Sequence, residues 1–583
     1  MFLYSRYLYP HPSPPVSHAS NSRCYTVPVV KCARLLVLFS LLLLLFTGAR
    51  VVFAASSDLN ANGITDADEA EVVVSSSSSL PAGEYVFNNL TVTNNAVVTL
   101  VGDPLSPNVF KGVKITARNV TVNPGSALSA DYKGYGHMSG PGVPPSDFIG
   151  ASYGGVGLGN VATSTYGSAT HPTDLGSGGY YPGGGAIWLV VNETLRNDGE
   201  ISARGNASAS GGSIYVIAHT LSGAGLFNAN GGSLFATGYF QGPGGGGRTA
   251  LYYNSSSFTG ITEVKGGCGS YDSWTLTCAD KGTIGFFDTT NNNLSVDSAW
   301  RFQKNDSPFN FNHIRVTNGA RVTTEKDVSI TATDIVLDTG SSFILSSQDS
   351  VTIPQITVQG GSTLTLSGEE TIIADTLTLT GNGTVTVVPE RVLSLTIPHI
   401  TVSADSAISA NEKGYGYGAG PGAPISDYAG ASYGGLGSGN VSASLYGSST
   451  APTDFGSGGN GYHPHGGGAI RLIVSSTFVN DGVISADGSN TSSGGSVYVT
   501  AGAMSGAGTF RANGGGFYCP NVCFGMGGGG RVAVYYDTSL FVGTAEAKGG
   551  CNSYDGWTLT CAEKGTVVIN QLPPAKPVCA TDC

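Results

Sequence analysis

The sequence of 583 residues predicts an all-β protein, a right-handed parallel β-helix (solenoid) with glycine-rich loops and two homologous modules. Composition is the first reason: 87 residues are glycine and only 11% are charged, which is typical of strands and tight turns and not of helices. The second reason is the alternation of apolar and polar residues in many short runs. The third is an internal duplication with a period of about 280 residues.

The strand prediction rests on runs such as NLTVTNNAVVTL at 89–100, VSITATDIVLDTGSSFIL at 328–345 and the long stretch at 356–388. Turn sequences such as NN, DTG and NG separate the runs, as expected for short strands. No apolar run with helical period lies between them, and similar strand and turn units follow one another. This favours a solenoid, in which each strand pairs with the next repeat. Antiparallel β-sandwich modules are the alternative.

The duplication is visible in long matching segments. SALSADYKGYG begins at Ser126 and SAISANEKGYG begins at Ser406, and the copies close with YDSWTLTCADKGT and YDGWTLTCAEKGT. A repeat of this length predicts two domain-sized units instead of two turns of one solenoid. Inside each copy, glycine runs alternate with strand patterns, and we interpret them as loops projecting from the strand ends.

The chain is therefore divided into seven predicted regions. A serine run at 75–79 is interpreted as a linker. The regions are a leader with a signal peptide at 1–55, a calcium-loop segment at 56–72, a linker and β lead-in at 73–113, module 1 at 114–290, a β-rich middle region at 291–394, module 2 at 395–568 and a Pro/Cys tail at 569–583.

The N-terminal region is typical of an export signal. Lys31 and Arg34 precede an apolar run at 35–46, and small residues follow near 52–55. The run is shorter than the roughly 20 residues of a membrane span. We expect a secreted or cell-surface protein, and the leader is either cleaved or kept as a signal anchor, which would be its one membrane attachment.

The cysteines beyond the leader number eight and fall in pairs close in sequence. In an exported chain such spacing predicts disulfides. A zinc site is the weaker interpretation, because no second cysteine pair lies at zinc-ligand spacing. The predicted local pairs are Cys268 with Cys278, Cys519 with Cys523, Cys551 with Cys561, and Cys579 with Cys583.

The order of motifs in both modules carries a family resemblance. GASYGG, GGGAI, ISA, GGS, SGAG, ANGG and GGGGR follow one another twice. In this order the chain resembles the large glycine-rich secreted or surface proteins of bacteria and plants. The resemblance implies a β-helix-like extracellular protein and supplies no reaction or catalytic residue.

The segment DLNANGITDADE at 58–69 has the spacing of a twelve-residue calcium loop. Oxygen ligands occupy positions one, three, five, seven, nine and twelve, with Gly63 at the sharp turn. No amphipathic helices flank it, and it resembles the thrombospondin type 3 calcium repeats. We expect bound Ca²⁺ with an affinity of about 10⁻⁴ to 10⁻³ M; a polar turn without metal is the alternative. The ligands would be Asp58, Asn60, Asn62, the Ile64 carbonyl, Asp66 and Glu69.

The net charge of −12, with no cluster of Lys and Arg, argues against nucleic-acid binding. The expected partners are extracellular matrix, a cell wall or a polysaccharide surface. Carbohydrate contacts are predicted at glycine-flanked residues that recur in the two modules. These are Lys133, Tyr135 and Asp147 in module 1, and Lys413, Tyr415 and Asp427 in module 2.

Other charges and tyrosines recur with them. General acid or base chemistry needs such groups within a few ångströms of each other, and the sequence does not show that proximity. We favour the interpretation that the charges anchor glycine loops through hydrogen bonds and ion pairs, and that the tyrosines cover those loops. The recurring charges are Asp131, Asp174, Asp198, Arg248, Asp454, Asp481 and Arg531.

The leading hypothesis is therefore a structural or adhesive secreted β-solenoid with a calcium loop, without assigned catalytic residues. The sequence contains no HExxH or phosphate-loop motif. A carbohydrate-binding protein, or a polysaccharide lyase or hydrolase on a β-helix, is the competing hypothesis.

Overall fold

The computed structural model describes twelve stretches of the chain, all of them in the compact unit Ala54–Cys583 and none in the unit Met1–Phe53. Strands account for 44% of the described residues and helix for 1%, including a short 3₁₀ turn at Lys304–Asp306. The described residues are 59, 71–106, 110–146, 148–160, 165–233, 242–270, 276–426, 429–440, 444–461, 464–516, 525–553 and 559–572.

Strands β1 to β15 form the lead-in and module 1. They are β1 (Glu71–Val74), β2 (Ser78–Leu80), β3 (Gly83–Val92), β4 (Val97–Leu100), β5 (Val113–Val122), β6 (Ala127–Ser129), β7 (Ala186–Asn197), β8 (Glu200–Ser202), β9 (Ser213–Ser222), β10 (Leu226–Asn228), β11 (Arg248–Ser256), β12 (Ile261–Glu263), β13 (Cys268–Ser270), β14 (Leu276–Cys278) and β15 (Thr283–Asp288). Part of the serine run that we interpreted as a linker thus lies in β2.

Strands β16 to β32 run through the middle region into module 2. They are β16 (Asn293–Val296), β17 (Ala299–Phe302), β18 (Phe309–Asn310), β19 (His313–Val316), β20 (Arg321–Thr324), β21 (Ser329–Thr331), β22 (Asp334–Leu337), β23 (Ser342–Ile344), β24 (Ser350–Thr352), β25 (Gln355–Val358), β26 (Thr363–Leu366), β27 (Thr371–Ile373), β28 (Thr376–Leu379), β29 (Thr384–Val387), β30 (Val392–Thr396), β31 (His399–Val402) and β32 (Ala407–Ser409).

The remaining strands belong to module 2. They are β33 (Ala469–Asn480), β34 (Val483–Ser485), β35 (Ser496–Gly506), β36 (Thr509–Arg511), β37 (Arg531–Phe541), β38 (Thr544–Glu546), β39 (Cys551–Ser553), β40 (Leu559–Cys561) and β41 (Thr566–Gln571).

Pairing between successive long strands is parallel. In the lead-in and module 1 the order is β1, β3, β5, β7, β9, β11 and β15, and in module 2 it is β33, β35, β37 and β41. Shorter strands form further parallel sheets, such as β17, β20, β23, β26, β29 and β32. Antiparallel pairs occur at β15 with β16 and in the hairpins β13–β14 and β39–β40. The parallel strands agree with the prediction, and the alternative of antiparallel sandwich modules is wrong for the described strands.

The middle region repeats with a spacing of 21 residues. Ile314, Ile335, Ile356 and Leu377 align across neighbouring parallel strands, each 21 positions after the last. Within strands such as TLTL and TVTV, the Leu and Val side chains are buried and the Thr side chains are more exposed. The alternation follows from strand geometry, because successive side chains point to opposite faces.

The turns of this repeat explain its Asn and Gly residues. Positive φ occurs at paired positions 318 and 319, 339 and 340, 360 and 361, and 381 and 382, again 21 residues apart. Left-handed backbone favours Gly and Asn. The amide of Gly340 donates to the carbonyl of Gly360, and that of Gly361 to Gly381 (both 2.7 Å), so consecutive turns stack.

Two apolar cores follow the strands. One extends from Leu59 through module 1 to Ile284. The other extends from Phe287 through the middle region and module 2 to Val534 and also includes Ala169, Tyr215 and Ala250 of module 1. The change from one core to the other coincides with the antiparallel pairing of β15 and β16.

Candidate functional site

The glycine runs pack against one another and do not project from the strands as predicted. Gly211 donates its amide to Gly245 (3.0 Å), Gly245 donates to Ala151 (2.9 Å) and Gly247 donates to Ala229 (2.7 Å), so neighbouring segments are joined in several directions. We call this packing the glycine lattice. It comprises 183–185, 203–205, 209–212, 229–232 and 244–247 in module 1, and 466–468, 486–488, 492–495, 512–515 and 527–530 in module 2.

Close backbone approach is the reason for glycine in the lattice. A Cβ at Gly212 would collide with the carbonyl oxygen of Gly185, and a Cβ at the module 2 counterpart Gly495 would collide with that of Gly468. The crowding resembles that at the axis of collagen, where only glycine fits. The glycine runs therefore form part of the buried scaffold.

A buried arginine joins the lattice to Tyr153 of the GASYGG motif and to Tyr166. The Arg248 side chain has no exposed surface. Its Nε and Nη2 donate to the Tyr166 carbonyl (3.1 and 2.8 Å), and its Nη1 donates to Thr283 Oγ1 (3.2 Å). The guanidinium also lies 5.2 Å from the ring centre of Tyr153, within the range of a cation–π interaction.

The hydroxyl groups around this arginine are paired as well. The Tyr153 hydroxyl lies 2.6 Å from Ser213 Oγ, which donates to the Asp174 carbonyl (2.5 Å). The Tyr166 hydroxyl donates to the Leu175 carbonyl (2.6 Å). We call these residues, with Arg248, the arginine–tyrosine network.

Module 2 reproduces the network almost atom for atom. Arg531 donates to the Tyr446 carbonyl at 3.1 and 2.8 Å and to Thr566 Oγ1 at 3.2 Å. Its guanidinium lies 5.3 Å from the ring centre of Tyr433, whose hydroxyl lies 2.7 Å from Ser496 Oγ. Because the same contacts occur in both copies, the network is a structural feature of the module itself.

Electrostatics make the network unsuitable for proton transfer near neutral pH. Burial raises the pKa of Tyr153 and lowers that of Arg248, while each group's charge partly opposes the other's shift. Burial also raises the pKa of Tyr433 to about 12. Tyr153 and Tyr433 therefore stay protonated, and their rings are closed to solvent.

The predicted carbohydrate contacts do not form one described group. Tyr135 is half-buried with Lys111 Nζ 5.7 Å from its ring centre, and Tyr415 packs edge-on against Phe455 at 5.7 Å. Lys133 and Lys413 are also half-buried, in the turns that precede these tyrosines. Asp147 and Asp427 lie outside the described residues.

The other recurring charges of module 1 are held by separate partners. Asp131 binds the Arg204 guanidinium (Oδ2 to Nη2, 2.7 Å) and accepts the Arg204 amide. Asp198 binds Arg196 (2.5 Å) and accepts the Ala224 amide. Asp174 belongs to the arginine–tyrosine network, so these carboxylates do not share one site.

In module 2 the first ion pair is replaced. The position of Asp131 is Asn411, whose side chain accepts the Asp487 amide (2.7 Å). Asp487 pairs with Arg511 (2.7 Å) and accepts the Asn513 amide (2.8 Å). Burial raises the pKa of Asp487 and Arg511 opposes the shift. Of the other module 2 charges, Asp481 accepts the Ala507 amide, and the Asp454 carbonyl accepts the Ser496 hydroxyl.

A row of aromatic side chains on the outer face of module 1 was not predicted. Trp188 stacks on Tyr215 (5.4 Å between ring centres), and Tyr252 stacks on Phe287 (4.3 Å). Trp300, from the middle region, packs edge-on against Phe287 at 5.5 Å. The alternation of side chains along β7, β9 and β11 was the sequence signal for this aromatic row. It does not show which residues would pack against the outer face.

Hydrogen bonds complete this contact between module 1 and the middle region. The Asp306 carboxylate accepts the amides of Ala169 (2.8 Å) and Thr170 (3.2 Å). Arg301 Nη1 donates to Thr165 Oγ1 (3.0 Å). We call this contact, with the aromatic row, the module 1 junction.

The cysteines form two bonds in the described regions, Cys268 with Cys278 and Cys551 with Cys561, each across a two-stranded hairpin. Cys519, Cys523, Cys579 and Cys583 lie outside them. So do all the predicted calcium ligands, Asp58, Asn60, Asn62, Ile64, Asp66 and Glu69.

The described residues contain no group of three or more His, Cys, Asp or Glu placed to hold a metal. No helix in the same part of the chain has the length and apolar composition of a membrane span. Comparison with protein-family models, with curated proteins and with solved structures finds no match for this chain.

Proposed function

We propose that the chain is a secreted or cell-surface structural protein that serves adhesion or contact with a matrix. The observation that carries the proposal is the arginine–tyrosine network, which recurs in both modules as a buried support for the glycine lattice. The two modules therefore share the contacts that stabilise the glycine-rich backbone, whereas the recurring carboxylates are bound to separate partners. The partner surface is extracellular matrix, a cell wall or a polysaccharide.

The proposed architecture is a right-handed parallel β-helix. Support comes from the parallel pairing of each long strand with the next and from the 21-residue spacing of aligned core residues and turns in the middle region. Such an arrangement pairs every strand except those at the ends and produces a long, stiff body.

Two separate features support an extracellular location. The predicted export signal precedes the described region, and two cysteine pairs are bonded. Disulfides persist in oxidising compartments. Secretion is tested by expressing the full chain with its own leader and assaying the culture medium. Retention of all protein inside the cell would contradict the proposal.

Calcium binding at 58–69 is part of the proposal and rests on the ligand spacing of the sequence. Isothermal titration of the full chain with Ca²⁺ should give a signal in the range of about 10⁻⁴ to 10⁻³ M that Asp58→Ala abolishes. Asp103→Ala, outside the loop, is the control. An unchanged signal in Asp58→Ala would rule out this site.

Adhesion is tested by cosedimentation of the purified chain with insoluble cell-wall polysaccharides and with matrix protein fibres. We expect saturable binding to at least one of these surfaces without any change in the polymer. Failure to bind any of them would contradict the adhesive role.

Carbohydrate binding with cleavage is the second candidate. The recurrence of Lys133 with Tyr135 and of Lys413 with Tyr415, at matching places in the two modules, favours it. Polysaccharides incubated with the chain are assayed for new reducing ends and unsaturated products. Products that disappear in the double variant Lys133→Ala/Lys413→Ala, and persist in Lys326→Ala, would establish an enzyme and overturn the structural proposal.

A further inference from the structure

The last strand of the main sheet, β41, has one paired edge. It pairs parallel with β37, and the amides of Thr566 and Leu572 donate to Gly530 (3.1 Å) and Tyr536 (2.7 Å). In a parallel pair, alternate residues direct their backbone groups to either side. Val567, Ile569 and Gln571 therefore direct theirs away from β37, and no strand of the described residues pairs with that side.

The corresponding strand of module 1 has both edges paired. This strand is β15, which lies parallel to β11 on one side and antiparallel to β16 on the other. Phe286 stands opposite Ser295, and Asp288 opposite Asn293. The outer edge of this module strand is thus suited to an antiparallel partner.

Apolar side chains of β41 are exposed to solvent as well as its backbone edge. Val567 aligns with Val532, and Ile569 with Val534, both fully buried. Val567 is nevertheless 42% exposed and Ile569 is 39% exposed, whereas Ile284, the module 1 counterpart of Val567, is fully buried. Terminal repeats of a stacked structure need a polar cap or a partner, and these apolar side chains supply no polar cap.

The sequence of β41 lacks the usual protection of an exposed edge. TVVINQ contains no charge and no proline, the residues by which natural edge strands avoid pairing. A two-fold axis at Ile569 would place two β41 strands antiparallel, with Val567 of each opposite Gln571 of the other, and no like charges would meet. The following residues, 573–583, contain prolines at 573, 574 and 577, which lack the amide that a pairing strand donates.

From these contacts we propose that the β41 edge is a dimer interface, in which it pairs antiparallel with β41 of a second copy of the chain. The contact would join two molecules end to end and cover Val567 and Ile569. It goes beyond the proposed structural role, because it predicts a specific interface and is independent of any matrix or polysaccharide.

The test is the solution mass of the full chain by analytical ultracentrifugation over a range of concentrations. We expect a reversible dimer, and Ile569→Lys should raise its dissociation constant at least tenfold. Gln571→Pro removes an outward amide and keeps the backbone bonds to β37, although it also removes the side-chain bond from Gln571 Nε2 to the Asp537 carbonyl (2.8 Å). It should weaken the dimer similarly. Leu105→Lys, at a residue 92% exposed in the lead-in, is the charge-matched control and should leave the dimer unchanged. Circular dichroism checks that each variant is folded.

Several results would overturn the interface. The wild-type chain could be monomeric throughout, or its dimer could persist unchanged in both β41 variants. A dimer that survives non-reducing denaturing electrophoresis would be cysteine-linked instead. If the wild type is monomeric and a chain ending at Leu572 dimerises through β41, the tail 573–583 occupies the edge and the proposal is wrong for the intact protein.

Discussion

Modules 1 and 2 have the same interior and different surroundings. Arg248 and Arg531 make the same hydrogen bonds at the same distances. Around them, residues 165–170 of module 1 are mostly half-buried and bound by Asp306, whereas residues 444–450 of module 2 are mostly exposed. The module is therefore a scaffold that does not require the junction, and the two copies diverge where they meet other parts of the chain.

The polar contacts show the same division. Module 1 uses Asp131 with Arg204, and module 2 uses Asp487 with Arg511. One aspartate is replaced by Asn411, and a carboxylate appears one strand further along. An ion pair at the edge of the glycine lattice is kept although its position moves, which indicates that it anchors the lattice and does not present a fixed charge to a ligand.

The largest expected effect is the loss of stability when the buried arginine of either module is replaced, and it should be larger in module 1, where the junction covers the site. Arg248→Ala leaves the Tyr166 carbonyl unpaired and opens a cavity, and we expect a loss of about 4 kcal/mol in the free energy of unfolding. Arg531→Ala should cost about 3 kcal/mol, because its site is slightly more open and lacks the junction. Urea unfolding followed by hydrogen exchange measures both values and locates the affected module. Losses under about 1 kcal/mol would contradict the anchoring role.

An intermediate loss of stability is expected when a contact of the module 1 junction is removed. Asp306→Ala removes the acceptor of two amides and should cost about 2 kcal/mol. Hydrogen exchange should accelerate at Ala169 and Thr170 and stay unchanged at residues 444–450 of module 2. Asn305→Ala, at the exposed neighbouring position, is the control. Equal changes in both modules would show that Asp306 does not act at this junction.

The smallest effect is a dependence on pH. Burial raises the folded pKa of Asp174, although Arg248 and Lys111 oppose the shift. Because the folded pKa lies above the unfolded value of about 3.9, the stability contribution of Asp174 is fully present below that value and is lost as the pH rises through the folded pKa. The stability of wild type relative to Asp174→Asn should therefore fall across this interval and then become constant.

Urea unfolding of both proteins between pH 3 and pH 7 measures this difference. Asp454→Asn, at the exposed counterpart in module 2, is the matched comparison. Parallel curves for wild type and Asp174→Asn would contradict the assignment to Asp174.

The fold was predictable where a local pattern determines it. Alternation in TLTL and TVTV identifies the strands, and turn residues such as Asn318 and Gly340 mark their ends. The bonds Cys268–Cys278 and Cys551–Cys561 lie where short cysteine spacing placed them. In each case the determining contacts lie within one strand, turn or hairpin.

The glycine lattice and the arginine–tyrosine network were not predicted, because their partners are far apart in sequence. Arg248 was expected to anchor a glycine loop, but its partner Tyr166, 82 positions away, was not identified. The signal that could have found the network was the double occurrence of tyrosine in GASYGG and arginine after GGGG. Pairing them requires the fold, since no local rule relates residues at that separation.

The glycine lattice also bears on how the protein would withstand digestion. A protease must draw a substrate segment into extended form and pair with its backbone, as in strand addition. In the lattice the amides and carbonyls of segments such as 209–212 and 244–247 are already bonded to neighbouring chain, and these residues are buried. Exposed loops of small and polar residues are the preferred sites of cleavage. Here the glycine-rich residues would be among the last to reach a protease active site, which would suit the proposed extracellular role.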